Sequence, residues 1–170
     1  VSDITIGGTE TGAGNTIAFN GGNGVFLFVE SGTGNATLGT GIAIQGNALF
    51  SNGGLGIDLD PVGVTPNDTG DGDTGANNLQ NFPVLTSAVL SGGNITIGGT
   101  LNSEAGKTYT LEFFSNTAAD PTGFGEGEIR LGSTSVSTDN NGNASFIEVF
   151  ATVVPPGYFI TATATDPDKN

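Results

Sequence analysis

The sequence contains no cysteine, histidine, methionine or tryptophan, and only Lys107, Arg130 and Lys169 carry positive charge. Each absence removes a chemistry. Without Cys or His there is no thiol nucleophile, no histidine-based triad, and no zinc or copper site of the usual ligand set. Seventeen acids against three cations leave a net charge of −14, so the chain has none of the positive footprint that a nucleic acid or an anionic membrane surface requires. No apolar run approaches a membrane span, and no stretch reads as a secretory signal. The missing cysteines leave the redox compartment open, because they suit a secreted chain stapled by metal as well as a cytosolic one.

What is present is glycine, acid and enough apolar residue to build a core. Thirty of the 170 residues are glycine and 35% are hydrophobic, which argues against wholesale disorder and allows one large domain or two small ones. The ligand inventory is carboxylate and carbonyl oxygen alone, which suits a hard cation such as calcium. The chain opens on Val1 with no initiator methionine and reads as an excised piece of something larger.

The first sixty residues are short apolar pairs punctuated by Asn and Gly, with no 3.6-residue period sustained over three turns. This half is expected to be β. It contains an internal repeat: "NTIAFNGGNGV" (15–25) aligns with "NALFSNGGLGI" (47–57), Asn15 over Asn47, Ile17 over Leu49 and Asn20 over Asn52, at a constant offset of 32 residues. Apolar alternation, then an Asn-Gly-Gly turn, then a fresh apolar residue is what a parallel solenoid coil needs. The surplus over a usual coil of roughly two dozen residues is assigned to the excursion "ESGTGNATLGTG" (30–41). Asparagines at equivalent corners either stack into hydrogen-bonded ladders or serve as ordinary turn residues.

From Val84 onward the pattern becomes alternating strands separated by turns: "VLTSAVL", "ITIGGTL", "TYTLEFF", "IRLGSTSVS", "ASFIEVFA" and "YFITATAT". Six strands are visible where an immunoglobulin-like sandwich has about seven. The expected organisation is therefore all-β: parallel β-helix coils with an acidic capping loop over 1–83, then an antiparallel Ig-like sandwich over 84–170. Phe82 and Pro83 are expected to seal the open end of the last coil, which would otherwise expose its core and an unpaired edge.

The pattern GNxIxxNxGxGI, carried by residues 14–25 and 46–57, resembles the right-handed parallel β-helix repeats of large bacterial secreted and surface proteins. The stretches "GIDLDPVGVTPNDTGDGDTGANNLQNFPVL", "YTLEFFSN", "GFGEGEIRLGSTSVSTDNNGNASF" and "ITATATDPD" are similar to a module that often follows the last coils of such proteins. The resemblance implies an extracellular or cell-surface polypeptide in which a β-helix ends in a β-sandwich, and it implies no defined activity.

The densest chemistry lies in "NDTGDGDTGANN" (67–78), where Asp68, Asp71 and Asp73 crowd into six positions with no cation nearby. Each carboxylate raises the cost of ionising the next unless something neutralises them. Asp58 and Asp60, in "DLDP", alternate to one side of a strand. If "VGVTPN" folds back, they meet the three loop aspartates, and backbone carbonyls complete six to eight oxygen ligands for calcium. The loop matches a D-x-D-x-D-G calcium loop only in part, without the closing glutamate or flanking helices of an EF-hand. The alternatives are a solvated acidic loop held by Asx-turns and catalysis. Asp139 reads as a hairpin-turn residue, and Asp166 and Asp168 as a solvated linker or a calcium-bridged junction.

A lyase acting on acidic sugars needs Lys, Arg or His as base and neutraliser, and residues 1–83 contain none. A glycosidase needs two suitably spaced carboxylates, which Asp58, Asp60 and Asp68 could supply, but aromatic platforms for a sugar ring are scarce: no Trp and only two Tyr. In "FGEGE" (124–128) Glu126 and Glu128 point one way in an extended chain, near Asp120. These three are a candidate ligand-binding group, the alternative being a plain inter-strand loop. The expected function is a non-catalytic structural or adhesive module of a bacterial extracellular or cell-surface protein, stabilised by calcium, whose partners are neighbouring domains, a glycan or a surface protein. The alternatives are a carbohydrate-binding module and a terminal fragment of a polysaccharide-acting enzyme.

Overall fold

In the computed structural model, which describes residues 3–29 and 39–170, the chain is all-β, with twelve strands and one short 3-10 turn. The first six strands are short: β1 (Ile4–Gly7), β2 (Thr16–Ala18), β3 (Val25–Leu27), β4 (Ile42–Gln45), β5 (Ala48–Phe50) and β6 (Ile57–Leu59). They form three two-stranded parallel sheets, β1 with β4, β2 with β5 and β3 with β6. Ile17 lies opposite Leu49 and Val25 opposite Ile57, the register that the 32-residue repeat requires. Ile4, however, lies opposite Ile42, a spacing of 38, so six additional residues sit between β1 and β2, in and around the exposed turn at Thr9–Gly12. Of the excursion at 30–41 assigned as the surplus, 30–38 fall outside the described residues.

Alternation sends Val25, Ile42, Ile44 and Leu49 inward, with Ile6, Ile17, Leu27 and Ile57 packed around them. The corners carry asparagine ladders. Asn47 Oδ1 accepts from the backbone N–H of Asn15 at 3.0 Å and from its Nδ2 at 2.9 Å, and Asn52 Oδ1 accepts from the same two groups of Asn20. Asn47 Nδ2 and Asn52 Nδ2 in turn donate to the carbonyls of Ile6 and Ile17. Each rung thus satisfies main-chain groups that the turn would strand. Beside one ladder Gly46 has φ +68°, and a Cβ there would lie 2.1 Å from the carbonyl oxygen of Gly8, so only glycine fits.

The remaining strands are β7 (Val84–Ser91), β8 (Asn94–Asn102), β9 (Thr108–Asn116), β10 (Ile129–Ser137), β11 (Asn143–Phe150) and β12 (Phe159–Thr165). They form two three-stranded antiparallel sheets, ordered β10-β9-β12 and β11-β8-β7. Between the sheets lies one core of Ile95, Ile97, Leu101, Tyr109, Leu111, Phe113, Val136 and Phe146, an arrangement compatible with a β-sandwich. Six strands are present, matching the six visible in the sequence. Val149 and Phe159 stand on the exposed side, 59% and 48% accessible.

The antiparallel part and the 3-10 turn cap the free edge of the parallel strands, and Phe82 and the buried Pro83 border the gap between them beside Ile42, Ile44, Leu49 and Leu55. Glu126 accepts from the backbone N–H of Asn52 at 2.9 Å and from its Nδ2, where a third rung of the ladder would stand. Leu49 and Gly127 exchange both backbone hydrogen bonds, at 2.8 and 3.0 Å. Glu112 takes the N–H of Gly46, Asn77 that of Ile42, and Asn170 that of Gly41. Phe82 also packs edge-on against Phe124 at a centroid distance of 5.2 Å. No helix among the described residues is long and apolar enough to cross a membrane.

Candidate metal centre

The loop between β6 and the 3-10 turn at Ala76–Leu79 carries the three crowded aspartates. Gly70 and Asp71 both adopt left-handed backbone, φ +77° and +56°, a conformation that glycine and aspartate tolerate best. Two consecutive left-handed residues turn the chain sharply. The result places one carboxylate oxygen from each of Asp68, Asp71 and Asp73 within 4.8 Å of the others.

The loop is fastened by neutral donors. Asn81, buried, accepts from the N–H of Asp68 at 3.1 Å and donates to the carbonyls of Asp68 and Asn102. Asp71 Oδ1 accepts from the N–H of Asn81 at 3.0 Å, and Asp71 Oδ2 from Gln80 Nε2 at 2.8 Å and from the Ser103 hydroxyl. Ser103 Oγ lies 2.9 Å from the Tyr109 hydroxyl, tying the loop to the antiparallel core. Asp68 Oδ2 accepts from Gly72 N–H at 3.1 Å. Asp68 Oδ1 and Asp73 Oδ1 are shielded from solvent and have no hydrogen-bond partner among the described residues.

The electrostatics of the triad is uncompensated. Burial, joined by the charges of Asp68 and Asp73 and opposed by the hydrogen bonds from Ser103 and Asn81, holds the Asp71 carboxyl above its ordinary value. Burial and then the Asp68 charge push Asp73 the same way. The chain's three cations are engaged elsewhere: Lys107 with Glu104 and Asp168, Arg130 with Glu112, Lys169 with Asp3. Two unpartnered, shielded carboxylate oxygens beside a third carboxylate fit a hard divalent cation, with loop carbonyls available to complete its coordination. Asp68, Asp71 and Asp73 would hold it.

Asp58 and Asp60 lie outside this group. Asp58 is buried and accepts from Asn23 Nδ2 at 2.6 Å and from the N–H of Gly63; its role is to join the turn before β3 to the turn after β6. Asp60 is half-buried, and its N–H donates to the carbonyl of Leu27. The residues that sequence reasoning missed are Gln80, Asn81 and Ser103, polar groups that read as generic loop composition.

The second candidate group does converge. Asp120, Glu126 and Glu128 border one polar recess of about 200 Å³ together with Phe50, Asn52 and Asn116. Each carboxylate already has donors: Thr122 for Asp120, Asn52 for Glu126, and the N–H and hydroxyl of Thr117, both at 2.8 Å, for Glu128. Asp139 holds a hairpin turn, accepting from the N–H group of Asn143 and then that of Asn141, which lowers its pKa. Asp166 is buried and bonded to Asn170, while Asp168 pairs with Lys107. No protein-family model matches the chain.

Proposed function

We propose that the protein is a non-catalytic structural or adhesive module of a bacterial extracellular or cell-surface polypeptide: two coils of a right-handed parallel β-helix closed by an Ig-like β-sandwich, with calcium at Asp68, Asp71 and Asp73. The observation that carries the metal is the pair of shielded, unpartnered oxygens, Asp68 Oδ1 and Asp73 Oδ1, inside a triad that spans 4.8 Å and has no cation. The parallel pairing at the repeat offset and the asparagine ladders support the coil reading. A non-catalytic role is favoured because Asp58, Glu126 and Glu128 are each already bonded by neighbouring donors.

Calcium binding to the folded form alone stabilises it by about 2.7 kcal/mol at a hundredfold excess over the dissociation constant. Thermal unfolding in EDTA, then in millimolar calcium, with magnesium as the control for charge screening, tests the reading. The expected result is a calcium-selective rise in Tm; equal effects of the two cations would sink it. A second reading, a carbohydrate-binding module, draws on the recess at Asp120, Glu126 and Glu128, where Phe50 offers an aromatic wall to a sugar ring. Glycan-array binding that is lost on Phe50→Ala would favour it.

A further inference from the structure

Between the last parallel strands and the antiparallel part runs a cavity of about 650 Å³, within the size range of ligand sites. Its walls are mostly apolar, formed by Ile42, Ile44, Leu49 and Leu55 on one side and Phe114 and Ile160 on the other. The residues along it are consecutive: 55–59, 79–85 and 160–165. Side chains of a strand alternate between faces, so what six successive residues of β12 share with the cavity is the edge of the strand, its N–H and C=O groups.

That edge is free. β12 pairs with β9 on one side, and among the described residues no main-chain hydrogen bond reaches Ile160–Thr165 from the other. The facing strand, β6, likewise pairs on one side with β3; on the other, its Leu59 carbonyl meets only the Thr65 hydroxyl, at 3.4 Å. Other parts of the same parallel edge are capped by Glu112, Glu126 and Gly127, so this gap interrupts an otherwise closed seam. An apolar slot flanked by unpaired strand edges is matched by an extended chain, which supplies backbone groups to the edge and apolar side chains to the walls. The acids on the lining, Asp58 and Glu126, are already bonded to Asn23 and Asn52. With the net charge at −14, an acidic strand is repelled.

We propose that this slot docks an extended, uncharged, apolar peptide segment of a partner protein, which adds a strand to the free edge of β12. The proposal goes beyond the structural reading above and does not rest on the metal. Its test is fluorescence anisotropy, in EDTA and again in calcium, with a fluorescein-labelled heptapeptide of alternating threonine and valine. A twin peptide N-methylated at alternate amides keeps the side chains and loses the donors. The expected result is saturable binding of the first peptide, weakened at least about tenfold by N-methylation and to the same degree by Thr163→Trp, which fills the slot. Where Thr163→Trp lowers Tm sharply, Val64→Glu at the slot supplies the same readout. Equal binding of both peptides would mean a merely greasy cavity for apolar molecules and overturns the proposal. So does no binding of either, or binding that survives in a folded slot variant.

Discussion

Asp71 and Asp73 are the residues on which the metal reading stands, and each gives a prediction. The Asp71→Asn, Asp73→Asn double variant removes two charges and keeps donor-compatible shapes, so it should fold and lose the calcium-dependent rise in Tm entirely. A full calcium response in that variant would move the ions elsewhere. The second prediction concerns pH. Both carboxyls titrate above their ordinary value of 3.8 when folded, so the folded state binds more protons than the unfolded chain between 3.8 and the raised values. In that window stability falls as pH rises. In EDTA the chain should therefore gain stability as pH is lowered from neutrality toward 3.8, and the double variant should show a flatter profile over the same range. Asp139 works in the opposite sense, its contribution being lost only as pH falls below 3.8. The triad itself was legible in "DTGDGD" because proximity in a glycine-rich loop leaves carboxylates few ways to separate. The placement of Asp58 was not. Whether it met the loop depended on the path of residues 61–66, and the N–H of Gly63 reached it first.

At the level of elements, the ladder asparagines do work that strand propensity cannot. Asn47 is 2% exposed and joins four groups: the N–H and Nδ2 of Asn15 and the carbonyls of Ile6 and Gln45. Asn47→Ala leaves those partners stranded in a corner where water has little access, and should cost about 2–4 kcal/mol. Asn140→Ala, in an exposed turn, should stay within about 0.5 kcal/mol. Urea unfolding of the two variants side by side checks the difference; equal effects would reduce the ladder to turn chemistry. The repeat offset and all six antiparallel strands were readable from the sequence because apolar alternation and turn residues are local signals. The terminator of the ladder was not, since Glu126 stands 74 residues from Asn52 and no local pattern links them. One hint existed. Glu112 interrupts the apolar run "LEFF", and a charge that alternates with core residues faces something polar on the other side of its sheet; here that is Arg130 and the N–H of Gly46.

Across the whole molecule, the seam between parallel and antiparallel parts decides whether the chain unfolds once or twice. A short stack of parallel strands exposes an edge and the end of its core, and repeats of this kind depend on their caps. Here the cap is made by acceptors on the antiparallel part, Glu126 for Asn52, Glu112 for Gly46 and Asn170 for Gly41. The parallel strands should therefore borrow stability from a partner with its own core of Tyr109, Leu111 and Phe113, all at most 1% exposed. Tyrosine emission isolates that partner, because Tyr109 and Tyr158 are the only tyrosines and no tryptophan is present, whereas far-UV circular dichroism follows both parts. In the intact chain the two signals should change at one urea concentration. In Glu126→Ala, Asn170→Ala, which strips two caps without touching the core between the antiparallel sheets, the dichroism transition should begin earlier while the tyrosine midpoint stays in place. The loss is expected at roughly 1–3 kcal/mol, the cost of leaving part-buried donors unpaired. If both midpoints moved down together, the two parts would form one cooperative unit held by more than their hydrogen-bonded seam.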